Sequence, residues 1–273
     1  MTDDNQSATQ SASETMADVQ AYRDTRQLAI TRVGIKRIKS PVIVADKSAQ
    51  QHTVADCSLA VFLPEDRKGT HMSRFTQLLN DYRESVYSIA TIGNIYKDML
   101  ERLDSNAGSL EISFPYFIEK LAPVTKQAGM LDYQVSLSAT TAANGDTTTS
   151  VKLDVPVTTL CPCSKEISKY GAHSQRSVIS IDAVVNSTDK TFWEDLITSA
   201  EEQASAQLYS QLKRADEKFV TERAYENPRF VEDLIREVAA ELNKNTNLLA
   251  YRLEVENFES IHNHSAWAQI DNR

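Results

Sequence analysis

Two cysteines and a histidine lie close together in the middle of the 273-residue chain. Cys161 and Cys163 are separated by one proline, and His173 follows shortly after them. Thiolate and imidazole are ligands that a borderline-soft divalent ion such as Zn²⁺ takes. Either cysteine could instead be an inert small residue at a strand end, the commoner role of a single cysteine. Lys165 and Arg176 in the same stretch favour a metal or nucleophile site over plain packing.

Apolar, β-branched runs on both sides of this stretch predict the elements that position it. Residues 155–160 lead in and residues 178–181 lead out, so a strand is expected on each side of a tight connection. Pro162 predicts that the connection is a stiff, non-helical turn. The candidate chemistry therefore lies at the ends of two neighbouring strands.

Two acidic sites follow further along the chain. The run Asp216-Glu217-Lys218 is expected at the end of a long helix that begins near Phe192 and ends near Lys213, where charges are usually only solvated. Glu232 lies in the first turns of the next helix, where a carboxylate commonly just complements the helix N-terminus. Both sites therefore have an ordinary structural interpretation beside a functional one.

A carboxylate and two imidazoles occur together near the C-terminus. In a late strand from about 261 to 270, His262 and His264 would share one face, with Glu259 just before them. That arrangement is typical of a metal or acid/base site, although one of the two histidines could be hydrogen-bonded surface.

Composition narrows the class of protein. A net charge of −9 and a pI near 5.1 argue against nucleic acid or an anionic membrane as a partner. Three cysteines, two of them separated by one residue, do not form a disulfide framework and favour a reducing compartment. No apolar run approaches the roughly 20 residues of a spanning helix, and the first residues are acidic and polar rather than signal-like. We therefore expect a cytoplasmic protein that is not bound to a membrane.

The alternation of strand and helix patterns predicts an α+β fold. Residues 1–24 are rich in small polar groups and are expected to form a disordered N-terminal arm. Residues 25–143 and 144–273 each show the order β-β-α-α-β-β, with a hairpin signal at Asn144-Gly145 and a strand break expected near Pro41. This repeat predicts two antiparallel sheets with a helix pair on one face of each, and free sheet edges that favour oligomers.

Three strings of sequence resemble a known family. Residues 161–168 (CPCSKEIS), 171–177 (GAHSQRS) and 257–264 (NFESIHNH) closely resemble the prokaryotic type IB GTP cyclohydrolase I, as do residues 69–75 and 224–232. The chain departs from the family pattern at Ser174, where asparagine is expected, and at Ser265, where an acidic residue is common. The resemblance covers nearly everything after the N-terminal arm.

The resemblance implies a fold and an activity. The fold is a tandem tunnelling fold of two ββααββ units, assembled as a homotetramer with active sites at subunit boundaries. The reaction converts GTP and water into formate and 7,8-dihydroneopterin triphosphate, the first step towards folate and related pterins, and it needs a divalent metal (Zn²⁺ or Mn²⁺, with Fe²⁺ possible). Two alternatives stay open: an iron-dependent relative that gives a cyclic-phosphate dihydroneopterin, and a non-catalytic metal-binding homologue.

The resemblance also implies roles for individual residues. Cys161, His173 and Glu217 become metal ligands, and a water with a lowered pKa on the metal attacks C8 of the purine. Glu232 anchors the guanine through N1–H and the 2-amino group, with Glu226 the next candidate for that role. His262 acts as general acid/base, assisted by Glu259. The cationic donors for the triphosphate are Lys165, Arg176, Arg74 and His71.

Overall fold

A computed structural model describes residues 18–47, 49–142 and 145–273. Its longer strands are β1 (Ile30–Ala45), β2 (Gln50–Leu63), β4 (Gly108–Leu121), β5 (Ala128–Thr141), β6 (Thr147–Leu160), β7 (Ser174–Val185), β9 (Leu248–Asn257) and β10 (Ala266–Asp271), with two-residue strands β3 (Val86–Tyr87) and β8 (Ala206–Gln207). Its α-helices are α1 (Met72–Asp81), α2 (Ile89–Arg102), α3 (Pro162–Ile167), α4 (Phe192–Gln203), α5 (Arg214–Glu226) and α6 (Val231–Leu242). Within the described residues, no helix is long and apolar enough to cross a membrane.

The strands form one sheet, not the two that the sequence pattern predicts. The order is β10-β9-β7-β6-β5-β4-β2-β1-β3, with β8 paired to β6, and the long neighbours are antiparallel. The two halves of the chain are joined because β5 pairs with β6 from Gln134↔Asp154 to Thr141↔Thr147. The predicted turn lies between these strands: Gly145 has φ of 88°, where glycine is favoured, and Asn144 is outside the described residues.

One face of the sheet carries the core. Apolar residues recur at every second position, and the register sets them side by side across the strands, as in the row Leu137–Val151–Ala183. The buried faces of α1, α2, α4 and α6 belong to the same cluster, so these helices cover that face. The α+β class is therefore confirmed, while the division of the chain at residues 143/144 stays a prediction.

Three prolines, Pro41, Pro115 and Pro156, lie in strands without breaking them. Pro41 was expected near a strand break, but β1 continues through it, paired with Val54 of β2. Within the part of the chain that the structure describes, the other side of β1 pairs only at Ile43 and Val44, so a residue without an N–H is tolerated at position 41. Pro156 falls between the last pair of β6 with β5, at Asp154, and its first pair with β8, at Val157. On this side of β6 the partner strand changes from β5 to β8 at the proline, while the pairing with β7 continues at Pro156↔Val178.

The long helix expected from Phe192 to Lys213 is wrong, because the chain leaves the helix after Gln203. Ala204 is extended, and residues 206–207 pair with β6 before α5 begins at Arg214. Ser205 explains the break, since its buried hydroxyl accepts a hydrogen bond from the Leu160 N–H at 3.1 Å. The periodicity of apolar residues could not reveal this competing hydrogen bond.

Buried carboxylates tie α4 to the sheet. The Glu201 carboxylate accepts hydrogen bonds from Lys120 Nζ at 2.7 and 2.8 Å and from the Tyr133 hydroxyl at 2.5 Å. The side chains of Lys120 and Glu201 are only 11% and 5% exposed. Glu194 accepts a hydrogen bond from the Tyr116 hydroxyl at 2.5 Å. A buried charge is tolerated when it is paired and hydrogen-bonded, so these contacts fix the position of α4.

Residues 18–24 differ from the expected disordered arm. They contain a short 3₁₀ turn at Val19–Ala21, and Lys68 N donates to the Tyr22 carbonyl at 3.1 Å. Asp24 N donates to Asp66 O at 2.9 Å. The predicted arm is therefore wrong for this part of its range, and residues 1–17 lie outside the described residues.

Candidate active site

A cavity of about 300 Å³ lies where several elements of the C-terminal half meet. The end of β6, the start of α3, the start of β7, the first turn of α6 and the connection from β9 to β10 surround it. It is lined by Cys161, Pro162, His173, Gln175, Arg229, Phe230, Val231, Glu232, Asn257, Glu259, His262, His264 and Ala266. Six of the side chains singled out in the sequence are thus brought together: Cys161, His173, Glu232, Glu259, His262 and His264.

Cys161 caps a short helix, which corrects the expected non-helical turn. Pro162 occupies the first position of α3, where its missing N–H costs nothing, and Cys161 Sγ accepts from Ser164 N at 3.5 Å. Cys163 is exposed on this helix, whereas Cys161 is half-buried. The two cysteines therefore have different surroundings, and only Cys161 lines the cavity.

Backbone hydrogen bonds hold Cys161 next to His173. Cys161 N donates to the His173 carbonyl at 3.1 Å, and His173 N donates to Ser164 Oγ at 3.2 Å. The Ser164 hydroxyl in turn donates to the Cys161 carbonyl at 3.1 Å. The loop between β6 and β7 is thus closed at its base, which places the thiol and the imidazole at one wall of the cavity.

One nitrogen of the His173 ring is engaged by the protein. Nδ1 lies 3.0 Å from Gln175 Oε1 and 3.5 Å from Ser260 Oγ. Among the described residues, nothing hydrogen bonds to Nε2. Since an amide oxygen only accepts, this contact is a hydrogen bond when Nδ1 carries the proton, and Nε2 then keeps its lone pair for a ligand.

The late histidines lie in a loop, which corrects the expected strand face. Residues 258–265 connect β9 to β10 through bends, and β10 begins only at Ala266. The rings of His262 and His264 are stacked, with centroids 5.0 Å apart and planes at 18°. Both histidines and Glu259 line the cavity. The two imidazoles therefore lie together as expected, but a loop brings them together and not one face of a strand.

Glu232 presents a free carboxylate. It occupies the first turn of α6 and is exposed, and it forms no hydrogen bond or ion pair with any described residue. Arg229, the guanidinium in the cavity, is bound to Glu237 at 3.1 Å and to the Gln203 carbonyl at 3.3 Å. The Asp233 carboxylate accepts a hydrogen bond from Phe230 N at 3.4 Å, so Asp233 and not Glu232 caps the N-terminus of α6. Glu232 is therefore available to a ligand.

Glu217 does not join Cys161 and His173 in this chain. It is exposed in the first turn of α5 and does not line the cavity, and the described residues contain no group of three potential metal ligands. Its neighbour Asp216 was expected to be solvated but is fully buried. Asp216 accepts from Val124 N at 2.8 Å, from Thr125 N and Oγ1 at 2.9 and 2.6 Å, and from Lys213 N at 3.0 Å.

The four cations expected to bind the triphosphate lie outside the cavity. Lys165 Nζ donates to the Tyr225 carbonyl at 2.5 Å and lies 4.5 Å from the centre of that ring. Arg176 is exposed on β7. Arg74 donates to the Arg102 carbonyl at 2.7 Å. His71 Nε2 lies 3.2 Å from Asp18 Oδ2, and it lines a different cavity together with Arg74.

Sequence reasoning missed Gln175, Asn257 and Arg229 as residues that line the cavity. A signal for Gln175 was present, because it shares the inward face of β7 with Ser177 and Ile179 at every second position. A polar side chain at a buried strand position must be hydrogen-bonded, and it is therefore a candidate for a structural or functional role.

Comparisons with known proteins identify the family of this chain. Residues 16–268 match the family model described as type I GTP cyclohydrolase folE2. The GTP cyclohydrolase FolE2 of Thiobacillus denitrificans is 52% identical over 258 residues, covering 94% of each chain. The proteins of the same name from Ralstonia nicotianae and Methylobacillus flagellatus are 52% and 51% identical, over 94% and 93% of this chain and 94% of each relative.

Solved structures with a related shape are more distant. A uricase from Bacillus fastidious has a TM-score of 0.46 at 8% identity, covering 88% of this chain and 92% of the uricase. The family match and the identity to three named relatives extend over nearly the whole chain. This chain therefore belongs to the type I GTP cyclohydrolase folE2 family.

Proposed function

We propose that this enzyme converts GTP and water into 7,8-dihydroneopterin triphosphate and formate, the first step of folate and pterin biosynthesis. The observation that carries the proposal is one cavity with two kinds of free group. A thiol and an imidazole nitrogen are available to a metal, and a carboxylate is available to a base. The relatives that share half of the sequence are named GTP cyclohydrolases, which supports GTP as the substrate.

Cys161 Sγ and His173 Nε2 are the proposed metal ligands in the cavity. Sulfur and nitrogen donors suit Zn²⁺, and a carboxylate as third ligand would suit Mn²⁺ or Fe²⁺ as well. Glu217 remains the proposed third ligand, although this chain alone does not bring it to the other two. When bound, such an ion makes water nucleophilic near neutral pH and stabilises negative charge on oxygen.

Glu232 is the proposed anchor of the guanine. One carboxylate can accept two parallel hydrogen bonds, from N1–H and from the 2-amino group of guanine. Adenine presents neither donor in that arrangement, so the same contact selects GTP over ATP. Glu232 has no partner among the described residues, which supports this role, because a carboxylate already paired with Arg229 would have to lose that partner first.

His262 is the proposed general acid/base. Opening the imidazole ring of guanine requires a proton on the leaving nitrogen, and an imidazole is suited to donate and recover protons near neutral pH. Glu259 in the same loop can orient the ring by accepting its other N–H. His264 stacks on His262 and restricts the orientations of the His262 ring.

Assembly into a homotetramer of tandem tunnelling folds, with sites at subunit boundaries, is part of the proposal. Large apolar side chains are exposed on the β6–β7 connection, on the β9–β10 connection and on β10, which supports an interface at these segments: Ile167 at 84%, Tyr170 at 98%, Ile261 at 64% and Trp267 at 62%. A second copy would then supply triphosphate contacts from the proposed residues outside this cavity, namely Lys165, Arg176, Arg74 and His71. We propose the cytoplasm as the location, since the thiols are free.

A pair of neighbouring cysteine variants tests the metal proposal. Cys161→Ala removes the ligand in the cavity, whereas Cys163→Ala removes an exposed thiol of the same short helix. We expect the Cys161→Ala protein to lose its metal and at least about 100-fold in turnover, with its melting temperature retained. Cys163→Ala should keep its metal. Full metal content in purified Cys161→Ala protein, measured by elemental analysis, would remove Cys161 from the site.

A further inference from the structure

A chain of buried hydrogen bonds leads from His173 into the sheet. Beyond the contact of His173 Nδ1 with Gln175 Oε1 at 3.0 Å, Gln175 Nε2 donates to Thr159 Oγ1 at 2.8 Å. The hydroxyls of Thr159 and Ser177 lie 2.8 Å apart, and Ser177 Oγ donates to Asn257 Oδ1 at 2.7 Å. Thr159 and Ser177 are fully buried, and Gln175 and Asn257 are 8% and 3% exposed.

The hydrogen bonds of this series all run from donor to acceptor in one direction, from His173 towards Asn257. Gln175 turns its oxygen towards His173 and its nitrogen towards Thr159, so the Thr159 hydroxyl is free to donate to Ser177. Asn257 accepts at the far end. Reversing one link would set two donors or two acceptors against each other, and an unmatched buried polar group is costly. The direction of donation along the whole series of hydrogen bonds therefore extends to the His173 ring.

We propose that Gln175 is a positioning residue that holds His173 as the Nδ1–H tautomer, with Nε2 directed to the cavity, and that Thr159, Ser177 and Asn257 fix the Gln175 amide. The part that concerns the metal rests on the proposed function. Neutral histidine must offer an unprotonated nitrogen to a metal, and the partner of the other nitrogen decides which one it is.

Asn257 extends the same chain to the acid/base loop. It is the last residue of β9 and directly precedes residues 258–265, which carry Glu259 and His262. The metal ligand and the acid/base loop are therefore connected through four buried side chains. A substitution of Gln175 should alter His173 before it alters the acid/base loop, because Gln175 and His173 are in direct contact.

The tautomer can be measured without metal. In the metal-free full-length protein with ¹⁵N-labelled histidine, at ~pH 8.5 and above the ordinary pKa of imidazole of about 6.5, protonated and unprotonated ring nitrogens have separate ¹⁵N signals. The His173 signals are identified by their loss in His173→Ala. We expect a protonated Nδ1 in the wild type and a mixture of tautomers in Gln175→Leu. A protonated Nε2 in the wild type would overturn the proposal.

Metal affinity provides the second readout, with two variants that both lose the hydrogen bond that Gln175 Nε2 donates to Thr159. Gln175→Glu keeps an acceptor for Nδ1–H, whereas Gln175→Leu does not. We expect Gln175→Leu to bind Zn²⁺ about 10- to 100-fold more weakly in competition with a chelator, and Gln175→Glu to stay within about threefold of wild type. Equal weakening in both variants would mean that Gln175 only supports the fold.

The two proposals can fail separately. If the wild type binds no Zn²⁺ in the chelator competition, the metal site is wrong, and the ¹⁵N measurement alone then decides the role of Gln175. If the wild type binds Zn²⁺ and Gln175→Leu binds it equally well, the metal site stands and the positioning role is refuted.

Discussion

Replacing Glu232 by glutamine tests base recognition with almost no change of shape. The variant keeps one carbonyl oxygen but turns the second acceptor into an NH₂ group, which faces a donor of the guanine. A hydrogen bond to a charged group is worth about 1.5–3 kcal/mol, so the two bonds together account for about 3–6 kcal/mol. At about 1.4 kcal/mol per factor of ten, kcat/KM for GTP should fall about 10²- to 10⁴-fold.

The assay is formate release from GTP, followed together with metal content and melting temperature. Glu232 is exposed and has no partner among the described residues, so both of the latter should stay at wild-type values. Glu226→Gln, at the end of α5, is the matched control and should keep normal turnover. Normal kcat/KM in Glu232→Gln would return this residue to a helix-end charge. A loss in Glu226→Gln instead would move the recognition of the base to that residue.

Two further predictions concern stability. Burial raises the pKa of Asp216, but hydrogen bonds from Thr125, Lys213 and Val124 outweigh this effect and hold the pKa well below its ordinary value. The ionised Asp216 therefore stabilises the folded protein above about pH 4, and this stabilisation is lost at lower pH. The melting temperature of Asp216→Asn should therefore lie below that of the wild type at pH 7, and this difference should narrow as the pH falls below about 4. A difference that is constant with pH would contradict this prediction. An equal loss of melting temperature in the exposed control Glu222→Gln would contradict it as well. Lys120→Met leaves the Glu201 carboxylate buried without its partner, and should lower the free energy of unfolding by about 3–5 kcal/mol in urea titrations. Lys120→Met/Glu201→Leu should regain part of that loss, and a double variant no more stable than the single one would refute the ion-pair account.

Much of the fold follows from local patterns in the sequence. Alternating apolar residues located β4 to β7 and β9, and helical spacing located α1, α2 and α6, because each of these elements buries one regular face. The number of sheets did not follow, since the pairing of β5 with β6 depends on register between distant residues. The break after Gln203 was also hidden, because contacts with residues distant in the sequence accompany it: the hydrogen bond between Ser205 and Leu160 and the pairing of β8 with β6.

The site was predictable to the extent that its residues are neighbours in sequence. Cys161 and His173 lie on one closed loop, and Glu259 and His262 on another. Glu217, the proposed third metal ligand, lies on α5, which does not contribute to the wall of the cavity. The role of Gln175 needs the three-dimensional arrangement, because its partners Thr159 and His173 come from opposite ends of the loop between β6 and β7.

The most direct measurement is the fate of C8 of GTP. GTP labelled with ¹³C at C8 is incubated with the metal-loaded enzyme, and the products are identified by ¹³C NMR and mass spectrometry. The account predicts labelled formate and unlabelled 7,8-dihydroneopterin triphosphate in equal amounts, with Zn²⁺ or Mn²⁺. A cyclic-phosphate dihydroneopterin formed only with Fe²⁺ would identify the alternative reaction. Label that stays in an intact purine, with GDP and phosphate as products or no turnover at all, would contradict the central claim.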